Sequence, residues 1–304
     1  MINKVAIVTG ANKGIGLGIV KELCKRGVSH VYLTARDEKR GVEAVNNLKL
    51  EGYNPLFHQL DITNEESVIR FAGFIKTELR GIDILFNNAA VAGDNVTGAT
   101  YEDANRVISV NFDSILTIEK YIFPLLNNNA RVINVSSDLG HLSKLKNKYW
   151  ISTLSKDDLT LDNVKKFTDW FLDAVRNNTL KEEDFSLPYF LSYVVSKIAL
   201  SAYTRIQQKK IGRGISINSL HPGFVKTSMT KETGMLTIEQ ASDAPVYLAL
   251  DADQSIKGKY IWFDKTEKEW TNISLDLNYV DPSLFKKLLD RRAIETPLKV
   301  YHEE

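Results

Sequence analysis

Short apolar runs alternate with amphipathic helical stretches along the first part of the chain. Val5-Ala6-Ile7-Val8 is β-branched and too short for a helix. It ends at Thr9-Gly10, and a 3.6-residue pattern through Ile19, Leu23 and Cys24 follows a cluster of glycines. His30 to Thr34 is a second such run, with a charged helical stretch from Asp37 to Leu50 behind it. Leu56 to Leu60 is a third, followed by a helix near Asn64 that carries Val68, Phe71, Ala72 and Ile75 on one side. Ile82 to Phe86 is a fourth, Tyr101 to about Asn128 a long helical pattern, and Ala130 to Val135 a fifth strand. Strands and helices taken in turn at this spacing predict right-handed crossovers, hence an α/β fold with a doubly wound parallel sheet and helices on both faces.

After Ser137 the rhythm breaks. Residues from about 138 to 190 are too many for a bare loop in a compact domain, so this insert should carry helices of its own, including a charged one from Leu161 to Ala174 before a turn at Asn177-Asn178. Trp150, Trp170 and Phe171 in it read as packing anchors. The alternation then resumes with a helix through Tyr193, a strand from Gly214 to Leu220, an apolar helix from Ala244 to Leu250 with Pro245 in its first turn, and a last strand from Lys259 to Phe263. That makes about seven strands. Residues 1–270 form one domain by this count, and 271–304 form a charged C-terminal extension whose piece Leu284 to Leu289 could make one helix.

Composition narrows the class. A net charge of +1 with 43% hydrophobic residues argues against both a nucleic-acid surface and disorder. The single cysteine, Cys24, excludes an internal disulfide or a cysteine-rich metal site and suits a reduced, cytoplasmic setting, where it reads as a small packed residue. No apolar stretch reaches the length of a membrane span, and the N-terminus carries no signal-peptide pattern.

Candidate chemistry sits where strands end. Thr9-Gly10-Ala11-Asn12-Lys13-Gly14-Ile15-Gly16 lies between a strand and a helix, where glycines let a phosphate approach the backbone and the helix N-terminus offers free N–H groups. The spacing is G-x-x-x-G-x-G, which differs from the commonest dinucleotide fingerprint, and a plain tight turn is the alternative. Ala35-Arg36 ends the second strand, where a ribose 2′ position would sit. An acid there would grip a hydroxyl, whereas Arg36, with Lys13 nearby, favours a 2′-phosphate and therefore NADP over NAD. Asp61 could meet an adenine edge or cap the following helix. Asn87-Asn88-Ala89-Ala90 follows the fourth strand, and Asn111 lies in an otherwise apolar helix. Ser136-Ser137 ends the fifth strand, whose alternation turns only one of the two serines toward any site. Tyr193 and Lys197 share a helix face one turn apart, a spacing suited to proton transfer. Tyr189 is a poorer candidate because its own i+4 partner is Tyr193. His221-Pro222-Gly223 opens room for a flat ring, with Thr227 able to bond an amide.

The ordered set Thr9-Gly10, Gly14, Gly16, Asp61, Asn87-Asn88-Ala89, Asn111, Ser136-Ser137, Tyr193-x-x-x-Lys197 and Pro222-Gly223 resembles the short-chain dehydrogenase/reductases, over about residues 4 to 270. Within them the chain is most similar to the monomeric NADPH-dependent carbonyl reductases, the insert included. The resemblance implies a Rossmann-like fold and NADP(H) held by Gly10, Asn12, Lys13, Gly14, Ile15, Gly16, Arg36, Asp61 and Ile62. Asn88, Ala89, Tyr193, Lys197, Pro222, Gly223, Val225 and Thr227 would complete that site. It implies hydride transfer to a ketone or aldehyde, with Tyr193 as proton donor, Lys197 beside it, Ser137 on the carbonyl oxygen and Asn111 holding a relay water. The partner would be a small-molecule carbonyl compound, in one form a specialised hydrophobic ketone such as a steroid, prostaglandin, terpenoid or alkaloid. The insert would keep the protein monomeric. A catalytically silent NADP-binding sensor is the alternative from another class. Ala90 stands where family members usually carry glycine, and the extension lies beyond the resemblance.

Overall fold

The computed structural model describes residues 2–295. The strands are β1 (Ile2–Val8), β2 (Val28–Ala35), β3 (Leu56–Gln59), β4 (Ile82–Asn87), β5 (Leu126–Val135), β6 (Ser216–Leu220), β7 (Tyr260–Ile261) and β8 (Glu267–Lys268). They form one sheet in the order β3-β2-β1-β4-β5-β6-β7-β8, parallel except for the last pair. The order reverses between β1 and β4. Strands on either side of that point lead their connections away in opposite directions, which leaves a crevice at their C-terminal ends.

The crossover helices are α1 (Gly14–Lys25), α2 (Glu38–Leu50), α3 (Glu65–Glu78), α4 (Tyr101–Ile108), α5 (Ser114–Ile122), α8 (Leu191–Ile211) and α9 (Ile238–Leu250), with α6 (Lys148–Leu154) and α7 (Leu161–Arg176) in the insert and α10 (Pro282–Glu295) in the extension. Ala6 and Val8 of β1 pack on Ile19, Val20 and Leu23 of α1, while Ile7 faces the opposite layer with Phe71 and Ile75 of α3. A strand buried on both sides needs an unbroken apolar run, and Val5 to Val8 supplies one. The insert helices complete a third apolar cluster: Trp150, Phe167 and Phe171 bury against Ile108 and Phe112 on one side and Val194, Val195 and Ile198 of α8 on the other. Each of these phenylalanines contributes about 1.5–3 kcal/mol by leaving water. The insert is thus an integral layer of the core.

Four expectations change. The helical pattern from Tyr101 does not run to Asn128. It is interrupted by a π-helical turn at Ser109–Asp113 and closes in a single 3-10 turn, Phe123–Leu125, around Pro124; β5 already begins at Leu126, paired with Ile82. Proline cannot extend a helix, and pairing with β4 draws the next residues into the sheet. Pro245 is not in a first turn, because a capping box between Thr237 and Gln240 starts α9 two turns earlier. Asp61 does not cap α3. Asn64 does, accepting from the Ser67 N–H at 2.9 Å, while Asp61 accepts from Thr63. The last strand shortens to Tyr260–Ile261, and an antiparallel β8 folds back on it, adding an eighth strand. The helix expected at Leu284 to Leu289 forms and is longer, α10. Residues 296–304 of the extension lie outside the described residues.

Candidate active site

The glycine turn after β1 is held by its neighbour strand. The Thr9 hydroxyl accepts the N–H groups of Asn88 and Ala89, and the Asn88 amide donates to the carbonyls of Thr9 and Gly10. Gly10 takes a left-handed φ of +61°, and a Cβ on Gly16 would stand 2.5 Å from Asn88 Nδ2 and 2.9 Å from Ala11 Cα. Side chains are excluded from both positions, which leaves a smooth cradle. No side chain caps α1, so its first N–H groups point unclaimed into that cradle. The residues therefore fit a pyrophosphate. Lys13 and Arg36 stand exposed beside it; among the described residues the Arg36 side chain has no hydrogen-bond or ion-pair partner, whereas Arg40 is committed to Asp37. Asp61 and Ile62 follow β3 at the same edge, Asp61 half-buried and Ile62 buried; Asn12, half-buried, lies in the turn outside the lining of the groove.

From the cradle the groove runs along Gly14, Ile15, Asn88, Ala90 and Val135 to Tyr193 and Lys197, with Pro222 and Thr227 opposite. It opens there into a second, mainly apolar cavity. Gly223, with φ +92°, turns the chain after β6, and Val225 is buried in the wall of this cavity. Ala89 is held back at the turn by Thr9, and Ala90, in the place of the usual glycine, lines the groove.

The two serines after β5 part company. Ser136 turns into α8, 2.7 Å from the Ser201 hydroxyl, whereas the Ser137 hydroxyl lies beside the Tyr193 phenol, donating to Asp138 Oδ1 at 3.1 Å and accepting the Leu139 N–H. Strand alternation alone left that choice open. Tyr193 and Lys197 lie on one face of α8, the ammonium 5.6 Å from the centre of the tyrosine ring and donating to the Val135 carbonyl at 2.7 Å. Burial raises the phenol above its usual value, while the neighbouring Ser137 hydroxyl pulls the other way. Burial lowers Lys197 to about 7. Asn111 sits in the π-helical turn. Its amide donates to the Val91 carbonyl and the Ser196 hydroxyl and accepts from the Val91 N–H. Both N–H donors are thus used in tying the chain after β4 to the residue preceding Lys197, so a relay water could meet only oxygen atoms of Asn111. Cys24 is remote from all this, its thiol pushed up to about 11 by burial.

Several residues of the site have no signal in the sequence. Tyr279, Val280, Phe285, Leu288 and Arg292 from the C-terminal extension wall the second cavity, facing Phe190 and Leu139. Arg292 donates to the carbonyls of Gly93 and Met229 and lies 5.3 Å from the Phe190 ring centre, which fastens α10 across the opening. Nothing in the spacing of these residues announces contact with a helix some ninety positions earlier. His221 also lines the cavity. It is legible in the sequence only as part of His-Pro-Gly.

A doubly wound sheet with a phosphate cradle at its switch point and a Ser-Tyr-Lys cluster at the end of the same groove defines a dinucleotide-binding protein equipped for proton transfer. The model of the short chain dehydrogenase family matches residues 4–150. The chain is 36% identical over 271 residues to (+)-neomenthol dehydrogenase of Arabidopsis thaliana, covering 81% of this chain and 90% of that one. It is 36% identical over 261 residues to carbonyl reductase (NADPH) 3 of Rattus norvegicus, covering 82% and 91%. The structure of salutaridine reductase from Papaver somniferum superposes with a TM-score of 0.79 at 32% identity, over 85% of this chain and 99% of that one. This chain belongs to the short-chain dehydrogenase/reductase family.

Proposed function

We propose that the protein is an NADPH-dependent reductase of ketones or aldehydes. The observation that carries this is the meeting of Ser137, Tyr193 and Lys197 at the point where the phosphate-cradling groove opens into an apolar cavity. Two of the relatives, neomenthol dehydrogenase and carbonyl reductase, support an oxidoreductase, and the second supports NADPH. When bound, NADPH supplies a hydride to the carbonyl carbon. The chain's own residues deal with the oxygen. Ser137 donates a hydrogen bond to it, and Tyr193 gives its phenolic proton to the developing alkoxide. A phenol kept protonated by burial is in the form needed for that step. Lys197, buried and close to the ring, stabilises the phenolate left behind, and Asn111 fixes the stretch of α8 that carries both. The apolar walls exclude water and favour a hydrophobic substrate. Steady-state oxidation of NADPH with a panel of hydrophobic ketones, quinones and dicarbonyls tests the assignment; NADP binding without turnover of any of them would leave a silent sensor instead.

Arg36 would pair with the 2′-phosphate of NADP. Replacement of Arg36 by Ala is expected to weaken NADPH use by roughly tenfold to a hundredfold while barely changing NADH use, consistent with the loss of one charge-assisted hydrogen-bonded pair. An unchanged preference between the two cofactors in competition kinetics would count against it.

The protein would act as a monomer in the cytosol. Helices α6 and α7 of the insert bury the outer faces of α4 and α8, the faces through which the resemblance implies that other family members associate. Sedimentation velocity should give a single species of one chain's mass, and a stable tetramer would contradict this. No helix among the described residues is long and apolar enough to cross a membrane.

A further inference from the structure

The loop from Phe224 to Leu236, after β6, forms one bank of the groove and part of the cavity wall: Met229 lines both spaces, and Ser228 lines the groove. Its base is tied, the Lys226 N–H donating to the Leu236 carbonyl at 2.8 Å and the Leu236 N–H to the Phe224 carbonyl at 3.0 Å. Its tip is sharply bent, because Lys231 and Glu232 both take left-handed backbone angles, φ +50° and +59°. Two successive residues with side chains in that region are costly and persist only where their surroundings hold them. The C-terminal helix supplies such a hold. Arg291 donates to the Lys231 carbonyl at 2.5 Å, and the Arg292 guanidinium donates from one nitrogen to the Met229 carbonyl at 2.7 Å and from another to the Gly93 carbonyl at 2.9 Å. Gly93 belongs to the opposite bank, after β4. Ala90, Ser228 and Met229 line both the groove and the adjoining cleft that contains Arg292, so this bridge runs from bank to bank beside the cofactor path. The other end of α10 is seated on aromatic rings, with Phe285 6.1 Å from Tyr189 and 6.4 Å from Phe190 between centres.

We propose that α10 is a clasp on the mouth of the site and that Arg292 is the positioning residue that keeps it shut. With Met229 tied to Gly93, the loop after β6 is held to the chain after β4, and NADPH or NADP+ passes only when the guanidinium lets go of one bank. Arginine suits this role, since its planar fork reaches two carbonyls at once and its charge strengthens both bonds. Neither carbonyl belongs to a regular strand or helix, so releasing it breaks no backbone ladder. Arg292 lines the cleft and the cavity but not the groove itself, so it acts on the rate of exchange rather than on affinity. This rests on the NADP(H) reading of the groove and adds to it a control of access, exercised by a segment that lies beyond the family resemblance.

Stopped-flow fluorescence of NADPH binding to and leaving the full-length protein tests this without any turnover. Arg292→Met keeps an unbranched stem against Phe190 and loses both bonds. Because the same bridge is broken for entry and for exit, the association and dissociation rate constants should each rise about tenfold to a hundredfold in this variant, with Kd staying within about threefold of the parent. Arg292→Lys, able to hold one bank at a time, should fall between the two. Phe285→Ala loosens the far end of α10 without touching the groove, and it should accelerate both steps in the same sense. A residue that grips the cofactor, or merely shapes its site, would instead change dissociation alone and affinity with it. Unchanged rates in Arg292→Met, or a Kd that rises in step with the dissociation rate, would overturn the clasp. Failure to reduce any carbonyl would count against the reductase reading alone, because the exchange rates are read in the absence of substrate.

Discussion

Replacing Tyr193 by Phe is expected to lower kcat for carbonyl reduction by about 10²–10⁴-fold, the usual consequence of removing a positioned general acid. NADPH binding should survive, because the cradle at Gly10 to Gly16 and the open α1 N-terminus lie at the other end of the groove. The fold should survive as well. Phenylalanine fills the same space on α8, and the hydrogen bonds of Ser137 to Asp138 and Leu139 are untouched. The measurement is single-turnover oxidation of NADPH with a reactive dicarbonyl, alongside cofactor affinity by fluorescence titration. Near-normal turnover would remove Tyr193 from the chemistry. A parallel loss of cofactor affinity would make it a structural residue.

Lys197→Met gives the second large effect, a fall in kcat/KM of about 10²–10³-fold, typical of removing one preorganised charge from a developing phenolate or oxyanion. Methionine matches the length and apolar stem of lysine, so the surroundings of α8 stay filled. The diagnostic lies in pH. The ammonium is lowered to about 7 by burial, so it is charged below that value and neutral above it. With the parent protein, reduction should therefore be favoured at low pH and decline on the alkaline side, beginning at or above about 7; the negative charge of a bound cofactor moves the limb upward. In Lys197→Met that limb should disappear, leaving a low and flat profile across the neutral range. The same shift has a stability consequence. A lysine lowered on folding opposes the native state increasingly as pH falls from its unfolded value toward about 7, so the variant should gain stability relative to the parent at neutral and acid pH. If the alkaline limb persisted in Lys197→Met, its origin would lie elsewhere.

Both predictions concern residues that a four-residue helical spacing singles out in the bare sequence. How far such spacing reaches depends on sequence separation. Tyr193 and Lys197 meet because a helix brings i and i+4 together whatever surrounds it, and the glycine turn reads from the chain because strand, turn and helix are contiguous. Ser137 needs one more fact, since alternation says that one serine faces the site without saying which; the packing of the Ser136 hydroxyl on Ser201 of α8 favours Ser137. In the sequence Asn111 is a polar residue in an apolar helix, to which the resemblance gives a relay water; the structure spends its donors on Val91 and Ser196, a commitment set by a π-helical turn that periodicity does not reveal. The misplaced first turn of α9 had a visible signal, the Thr237-x-x-Gln240 capping box, which the apolar run from Ala244 outweighed.

By itself the sequence determined the alternation of strands and helices, the glycine turn after β1 and the Tyr193–Lys197 pair on one helix face, because each depends on backbone geometry and on neighbours within a few residues. Only the tertiary structure decided the apolar cavity beside that pair. Its walls join Leu139 after β5, Phe190 before α8, His221 after β6, and Tyr279, Phe285 and Leu288 from a segment with no local motif. Contacts between residues so far apart arise from the way an insert and an extension pack on the sheet. That packing depends on the shapes of complementary surfaces, which hydrophobic periodicity does not encode.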